Sequence, residues 1–478
     1  MNILPKIVNK FFPDVRIAKR CNLIINTMMS KPEKTITALT DSAAESRAVF
    51  RLLSSVSFGY AKLLEGYIHS VAKMIRLRFK TLSSNRLLIV QDTSDINLSG
   101  LKSTREKLGY LPSSNCNLNK FGLSIHSGLA VSTDGEPIGL LHQQTIIRKI
   151  GELGKSKGRK ERPIEEKESY KWLNCIKEVL KLEIKKELVF VGDRENDINE
   201  VFLLQKECNL NQTKQSQFNL VVRARHSRTI KVVNESTGKS VSVIIDDYIR
   251  SHSKMKLKGM IKISRSQKQD EKEIEVNIFS SKIKLNPFKV LPKSELDDIY
   301  EISNLELNVV MVENIKENIR WILFTTLDIS TNKAVLDVVQ YYKHRWLIER
   351  FHYTLKSGCG IEDIQLKNIE SIQKAIIFHS ITACQILRLT ILSRIEPNAN
   401  CNRMFSQDEW EAIYLATNKT NILPSKPPTL GEITFLLAKL GGFKLWHKND
   451  TPGVKSIWWG IQALDQLLKI YPRLVVRG

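Results

Sequence analysis

The sequence predicts an α/β protein with helical ends, and three observations lead there. Short apolar runs closed by charged residues alternate with amphipathic helices, in the order strand, hairpin, helix, strand, helix, strand. The stretch from about 227 to 330 alternates polar and apolar residues with period two. The first 70 residues and the chain from Asn332 onward read as helix.

Each element has its own signal. "ITALTDSAAESRAVFRLLSS" is the clearest N-terminal helix, with Asp41 or Ser42 as its cap and Arg47 and Arg51 four apart on one face. "RLLIVQD" (86–92) is an apolar strand ending in Asp92. "SIHSGLAVSTDGEPIGLLHQQ" (124–144) is a hairpin that turns at Asp134-Gly135. "GKSKGRKERP" (154–163) is a basic loop, and "EEKESYKWLNCIKEVLKLE" (165–183) an amphipathic helix. "KELVFVGDRE" (186–195) is a second strand, closed by Asp193, and "FNLVVRARH" (218–226) a third, closed by basic residues. "KSVSVIIDDYI", "KEIEVNIFSSKIKL", "LELNVVMVEN" and "IRWILFTT" supply the period-two region. There, Ile274, Val276 and Ile278 alternate with Glu275 and Asn277, as in a half-exposed antiparallel sheet. The C-terminal helices break at "PSKPPTL" (424–430) and at Gly441-Gly442.

Composition narrows the function. The chain has 478 residues, and 42% of them are hydrophobic, enough for a core and against disorder. It shows no apolar run of the ~18 residues that span a bilayer, and its start has no apolar segment followed by a small-residue cleavage site. Neither a membrane partner nor secretion is therefore expected. The seven cysteines (Cys21, Cys116, Cys175, Cys208, Cys359, Cys384, Cys401) are scattered, with no CxxC pair. That argues for reduced thiols in a cytoplasm, and against structural zinc or a disulfide framework. The net charge of +23 and pI near 9.6 favour a polyanionic partner, most often nucleic acid.

Three acids stand on suggestive elements. Asp92 and Asp193 each close an apolar strand, which places carboxylates at the C-terminal edge of a sheet, where open α/β folds put their sites. Glu349 lies among basic and aromatic residues in "YYKHRWLIERFHYTLKSG" (341–358), which reads as one helix because it has no Pro and its only Gly is terminal. At about 100° per residue, Tyr342, Arg345, Glu349 and Lys356 fall within roughly a sixth of a turn of one another. Three converging carboxylates would repel one another without a cation, and oxygen ligands suit Mg²⁺ or Mn²⁺. Two such ions could activate water on one side of a phosphodiester and stabilise the leaving oxygen on the other. Taken singly, each acid has a plainer use: Asp92 and Asp193 as caps or turn residues, Glu349 as the ion-pair partner of Arg345 or Arg350. Asp95, Glu195 and Asp197 read as caps or surface acids.

The spacing Y-x2-R-x3-E-x6-K resembles the Y-R-E-K signature of the IS-four family of bacterial DDE transposases. "VQDTS" (90–94) and "GDRENDI" (192–198) resemble its first and second acid motifs, and "EKESYKW" (166–172) also has a counterpart. "RWILFTT" (320–326) matches a motif whose Trp precedes the Tyr by 21 residues, as Trp321 precedes Tyr342. "AKLGGF" (438–443) and "SIWWGIQAL" (456–464) resemble its C-terminal domain, so the likeness covers essentially the whole chain.

The resemblance implies an RNase H-like catalytic domain over 71–372 with a β-rich insertion at about 227–330. A helical domain over 1–70 would recognise the transposon ends, with Arg47 and Arg51 as contacts, and helices over 373–478 would dimerise. Asp92, Asp193 and Glu349 would bind two Mg²⁺ ions, with Mn²⁺ as the alternative, for hydrolytic nicking, hairpin formation, hairpin opening and strand transfer. Trp321 would stack on a flipped base, and Tyr342, Arg345 and Lys356 would hold the phosphates around it. Trp346 is either a further contact or core packing, and Arg223 and Arg225 are further DNA candidates. The partners implied are double-stranded DNA and a second copy of the chain, in a bacterial cytoplasm on the nucleoid. The N-terminus reads as shorter than is typical of the family. That keeps open a non-catalytic or inhibitory DNA-binding relative; a simple nuclease of the same fold is the third reading.

Overall fold

The computed structural model describes residues 12, 14–31, 39–40, 42–56, 58–78, 84–111, 120–148, 162–210, 217–233, 240–253, 255–263, 272–285, 305–447 and 450–475. Three helices come first: α1 (Val15–Ser30), α2 (Ala43–Ser54) and α3 (Tyr60–Arg78). Strands β1 (Arg86–Asn97), β2 (Gly109–Tyr110), β3 (Phe121–Ser132) and β4 (Pro137–Ile146) follow. Next come α4 (Tyr170–Leu180), β5 (Glu187–Gly192), α5 (Asn199–Leu210) and β6 (Phe218–Arg223). The β-rich stretch holds β7 (Thr229–Val233), β8 (Ser240–Ile244), α6 (Ile245–His252), β9 (Met255–Ile263), β10 (Lys272–Leu285), β11 (Leu305–Asn314) and β12 (Ile319–Thr325). The chain then continues as α7 (Asn332–Lys343), α8 (Trp346–Tyr353), α9 (Ile369–Ile395), α10 (Gln407–Asn418), α11 (Leu430–Leu440) and α12 (Val454–Val475).

Packing divides these elements into two compact units: Met1–Leu82, Thr93–Leu153 and Leu347–Gly478 form the first, Ser83–Asp92 and Gly154–Trp346 the second. The boundaries expected at 70/71 and 372/373 fall inside α3 and α9. A shift in composition marks where sequence texture changes, and a helix can run through it.

In the second unit, β1 pairs with β5 and β5 with β6, both parallel, with α5 as the crossover between β5 and β6. Leu87–Val90, Leu188–Val191 and Leu220–Val222 are buried, as expected of parallel strands covered on both faces. The sheet continues from β6 through β12, β11 and β10 to β9, all antiparallel. The β-rich stretch is therefore joined to the parallel strands, with Leu323 of β12 opposite Arg223 of β6. Along β10, Ile274, Val276 and Ile278 are buried while Glu275 and Asn277 are exposed, as the alternation predicted. "KSVSVIIDDYI" departs from expectation: β8 stops at Ile244 and α6 begins, with Asp246 and Asp247 in its first turn. Carboxylates there suit the positive end of a helix dipole.

In the first unit, the β3–β4 hairpin turns where expected, with Gly135 at φ 96° and the Ser132 N–H donating to the Glu136 carbonyl at 2.9 Å. Ser42 caps α2, its hydroxyl accepting the Glu45 N–H; Asp41, the other candidate, lies outside the described residues, as do 154–161 of the basic loop. Contrary to the expectation of no such run, helix α9 is 27 residues long and apolar enough, by length and composition, to span a membrane. Its apolar stretch is wholly buried in protein, with α1, α2, α3, α11 and α12 packed on it. It is a core helix. Helices α11 and α12 touch through glycines: a Cβ on Gly441 would lie 2.1 Å from the Ser456 carbonyl, and one on Gly460 2.0 Å from that of Leu437. The six described cysteines are free thiols; Cys116 lies outside the described residues.

Candidate active site

The edge of the second unit's sheet is built by the β1–β5 pairing. Its register runs from Arg86↔Glu187 to Val90↔Val191, and Asp92 and Asp193 each come two residues after that last pair. Strands so paired lie about 4.8 Å apart, so the two carboxylates share one edge. Contrary to expectation, Asp92 does not end its strand: β1 runs on to Asn97. Asp193 does follow the last residue of β5. It caps the short 3-10 turn Arg194–Asn196, its Oδ1 accepting the Glu195 N–H at 2.9 Å. A Cβ on Gly192 would lie 2.2 Å from the Asn196 amide nitrogen, so glycine is what lets that side chain tuck beneath the turn. Asn196 is fully buried, and neither amide atom has a partner.

Burial raises the Asp193 pKa, the Glu195 N–H opposes that rise, and the Glu195 charge adds to it; Arg345 and Lys171 pull the other way. A carboxylate held so is short of positive charge. Lys171, to which the sequence assigned no role, is buried, with its ammonium 3.4 Å from Glu168 and 3.3 Å from Glu195. The "EKESYKW" segment thus supplies a cation to the Asp193 turn.

The neighbouring acids have other partners. Asp95 accepts from Ser124 and from Arg148 at 3.3 Å. Asp197, expected at the surface, is buried: it pairs with the Arg228 guanidinium and accepts the Arg225 N–H at 2.8 Å. It therefore holds the loop after β6 in place.

The segment 341–358 is not the single helix expected. Helix α7 ends at Lys343, where the His344 and Arg345 N–H groups bond back to Tyr341 and Tyr342 in a tightened turn. Helix α8 ends at Tyr353 and gives way to a wider π turn, Thr354–Gly358, that carries Lys356. A tightened turn advances the chain by more than 100° per residue and a π turn by less, so the regular 100° step does not run unbroken through the segment. Tyr342 is buried. Its ring meets the Trp321 indole edge-on at 5.3 Å, with the Arg223 guanidinium at 6.0 Å and that of Arg345 at 5.9 Å. Trp321 is half-buried. Trp346 is 40% exposed, which removes the core-packing reading. His352 is buried and its pKa is pushed down to about 3, by burial first and then by the Lys356 charge, so it adds no cation at neutral pH.

Glu349 is exposed on α8 and belongs to the first unit. Among the described residues no three His, Cys, Asp or Glu side chains group closely enough to share a metal ion. Asp92 and Asp193 stand as a pair, and that pair has the chemistry a divalent cation needs: oxygen donors, one of them partly buried.

Beside the pair, in the same unit, Arg194, Arg223, Ala224, Arg225, His226, Arg320 and Ile322 line a small, open cleft. Arg320 is anchored on Asp246, which also accepts from Ser227 at 2.8 Å, and Arg223 donates to the Arg320 carbonyl at 3.1 Å. Arg194 and Arg320 were not singled out from sequence; Arg194 follows the second acid directly, and Arg320 precedes Trp321. Guanidinium groups gathered so can hold phosphate oxygens. In the first unit, Arg47 and Arg51 are exposed on α2.

Two family models match the chain. The transposase DDE domain matches residues 210–384, and the transposase Tn5 dimerisation domain matches residues 381–471. The first match contains Arg223, Arg225, Trp321, Tyr342, Arg345, Trp346, Glu349 and Lys356, and begins after Asp92 and Asp193.

Proposed function

The chain belongs to the Tn5-like DDE transposases, metal-dependent enzymes that cleave DNA, and from that premise we propose that it moves its element by cut-and-paste. The observation that carries the reading is the parallel β1–β5 register, which ends at Val90↔Val191 and leaves Asp92 and Asp193 each two residues beyond it. These two carboxylates hold divalent metal, Mg²⁺ by their oxygen chemistry, and Glu349 is assigned as the third ligand from the Y-x2-R-x3-E-x6-K spacing. Bound there, two ions would supply charge stabilisation to both oxygens exchanged at a phosphodiester.

The other residues position DNA. Arg345 and Lys356 grip phosphates, and Tyr342 acts from beneath as the platform that orders Arg223, Arg345 and Trp321. Trp321 stacks on a base turned out of the duplex in a hairpin intermediate. Arg225 and Trp346 add contacts beside them, and Arg47 and Arg51 read the element's ends. The residues matched to the dimerisation domain bring two copies together on paired ends.

Purified protein with Mg²⁺ and a duplex carrying the element's end should nick one phosphodiester and then yield a hairpin. Asp92→Ala, Asp193→Ala and Glu349→Ala should each abolish cutting and leave DNA binding intact. Normal cutting by Glu349→Ala would remove that residue from the metal site. Binding without any cutting by the unaltered chain would identify it as the non-catalytic relative.

A further inference from the structure

Three polar side chains in the first turns of α9, Glu370, Ser371 and Lys374, meet the turn between α2 and α3. Lys374 is fully buried, and its ammonium donates to the carbonyls of Leu53 at 3.0 Å and Ser55 at 2.8 Å. The Ser371 hydroxyl donates to the same Leu53 carbonyl at 3.0 Å. Glu370 accepts the N–H of Tyr60, the first residue of α3, at 2.6 Å, and lies 3.8 Å from the Lys374 ammonium. The cation therefore sits at the C-terminal end of α2 and the anion at the N-terminal end of α3, the signs that each helix dipole favours. Cys21 of α1 and the Phe58 ring, 5.3 Å from the ammonium, complete the surroundings.

An apolar residue would be the less costly occupant of such a position. Burying an ammonium on two carbonyls, with its one carboxylate partner as far as 3.8 Å away, is expensive, and apolar contact would hold two helices together without fixing their angle. Oriented hydrogen bonds select one angle. Helix α2 carries Arg47 and Arg51 on its exposed side, while Val49, Leu52 and Leu53 face inward. Helix α9 starts inside the match to the DDE domain and ends inside the match to the dimerisation domain.

We infer that Glu370, Ser371 and Lys374 form a docking knot that sets the angle of α2, and that Lys374 is thereby a positioning residue for binding of the element's ends. This rests on the reading of Arg47 and Arg51 as DNA contacts. The knot makes α9 the common support of end recognition and of the helix that leads into the dimerisation region.

The test is a double-mutant cycle on the full chain. It uses fluorescence anisotropy with a duplex carrying the DNA that flanks the reading frame, here called the repeat duplex, and a scrambled duplex of the same length and composition. Lys374→Met should weaken repeat binding about tenfold, the scale of one lost specific contact, and barely change scrambled binding. Lys374→Gln keeps a donor and should recover part of the loss. Combined with Arg51→Ala, Lys374→Met should add no further weakening. Equal weakening on both duplexes, or additivity with Arg51→Ala, would reduce Lys374 to a stability role and overturn the inference. If Lys374→Met does not fold, Ser371→Ala, which removes one donor from Leu53, runs the same cycle. If Arg51→Ala binds the repeat like wild type, the reading of α2 itself falls and the knot's role with it. If Arg51→Ala weakens binding while the Lys374 variants do not, only the knot's role falls.

Discussion

The edge of β5 in the second unit and the β3–β4 turn in the first both draw a carboxylate out of water, and they answer it differently. Glu136, 2% exposed, takes two bonds from buried Arg388, at 2.9 and 2.5 Å, and a third from Arg403 at 3.2 Å. Asp193 takes one backbone N–H, and Arg345 and Lys171 act on it only through their charge. A carboxylate saturated by guanidinium groups fastens a fold. One left short of positive charge has capacity for a ligand. Both are acids in or near a turn, so local sequence does not separate them; what surrounds each does.

The largest effect is expected from Asp193→Asn. Cleavage should fall by at least about 10³-fold, because a metal ligand supplies several kcal/mol at the transition state. The melting temperature without metal should stay level or rise, since the change removes a poorly matched charge. A clear fall in melting temperature would make Asp193 structural, like Glu136. The converse change, Arg388→Met, should cost about 3–5 kcal/mol in denaturant unfolding by leaving Glu136 short of its main partner. Adding Glu136→Gln should restore part of that. If folded Glu136→Gln lost cleavage instead, the first unit's carboxylate would not be merely structural.

Two buried histidines make the fold sensitive to acid. Burial pushes the pKa of His352 down to about 3 and that of His379 to about 4. Unfolded histidines titrate near 6.5, so below that pH the unfolded chain takes up protons that the folded chain refuses. Stability from these two residues is complete above about pH 6.5 and is lost as pH falls towards the folded values, by on the order of a few kcal/mol. Urea midpoints measured from pH 7 to 4.5 should show this loss, and His379→Leu should flatten it. The smallest effect concerns Trp321. Trp321→Ala should slow hairpin formation more than the first nick, by about 1–3 kcal/mol of lost stacking. Equal slowing of both steps would remove the flipped-base role.

Much of the architecture was legible in the chain. The parallel strands, the hairpin at Gly135, the Ser42 cap, the alternation along β10 and the helix breaks near 424–430 and 441 all rest on propensity and period, which act within a few residues. The pairing of Asp92 with Asp193 was nearly legible too, since each follows an apolar run. The missed features share one cause. The continuation of β1 past Asp92, the break after Lys343 and the turn of "IIDDYI" into α6 depend on neighbours that a local pattern does not contain.

By itself the sequence determined where strands and helices lie, which way the strand faces point, and which acids and aromatic residues recur at motif spacing. Only the tertiary structure decided which charges are free. It paired Asp197 with Arg228, seated Lys171 beside Glu195, took His352 out of the basic array, and carried Lys374 across more than three hundred residues to the end of α2. Periodicity is a property of adjacent residues, whereas the state of a charge is set by burial and by partners that only folding brings near.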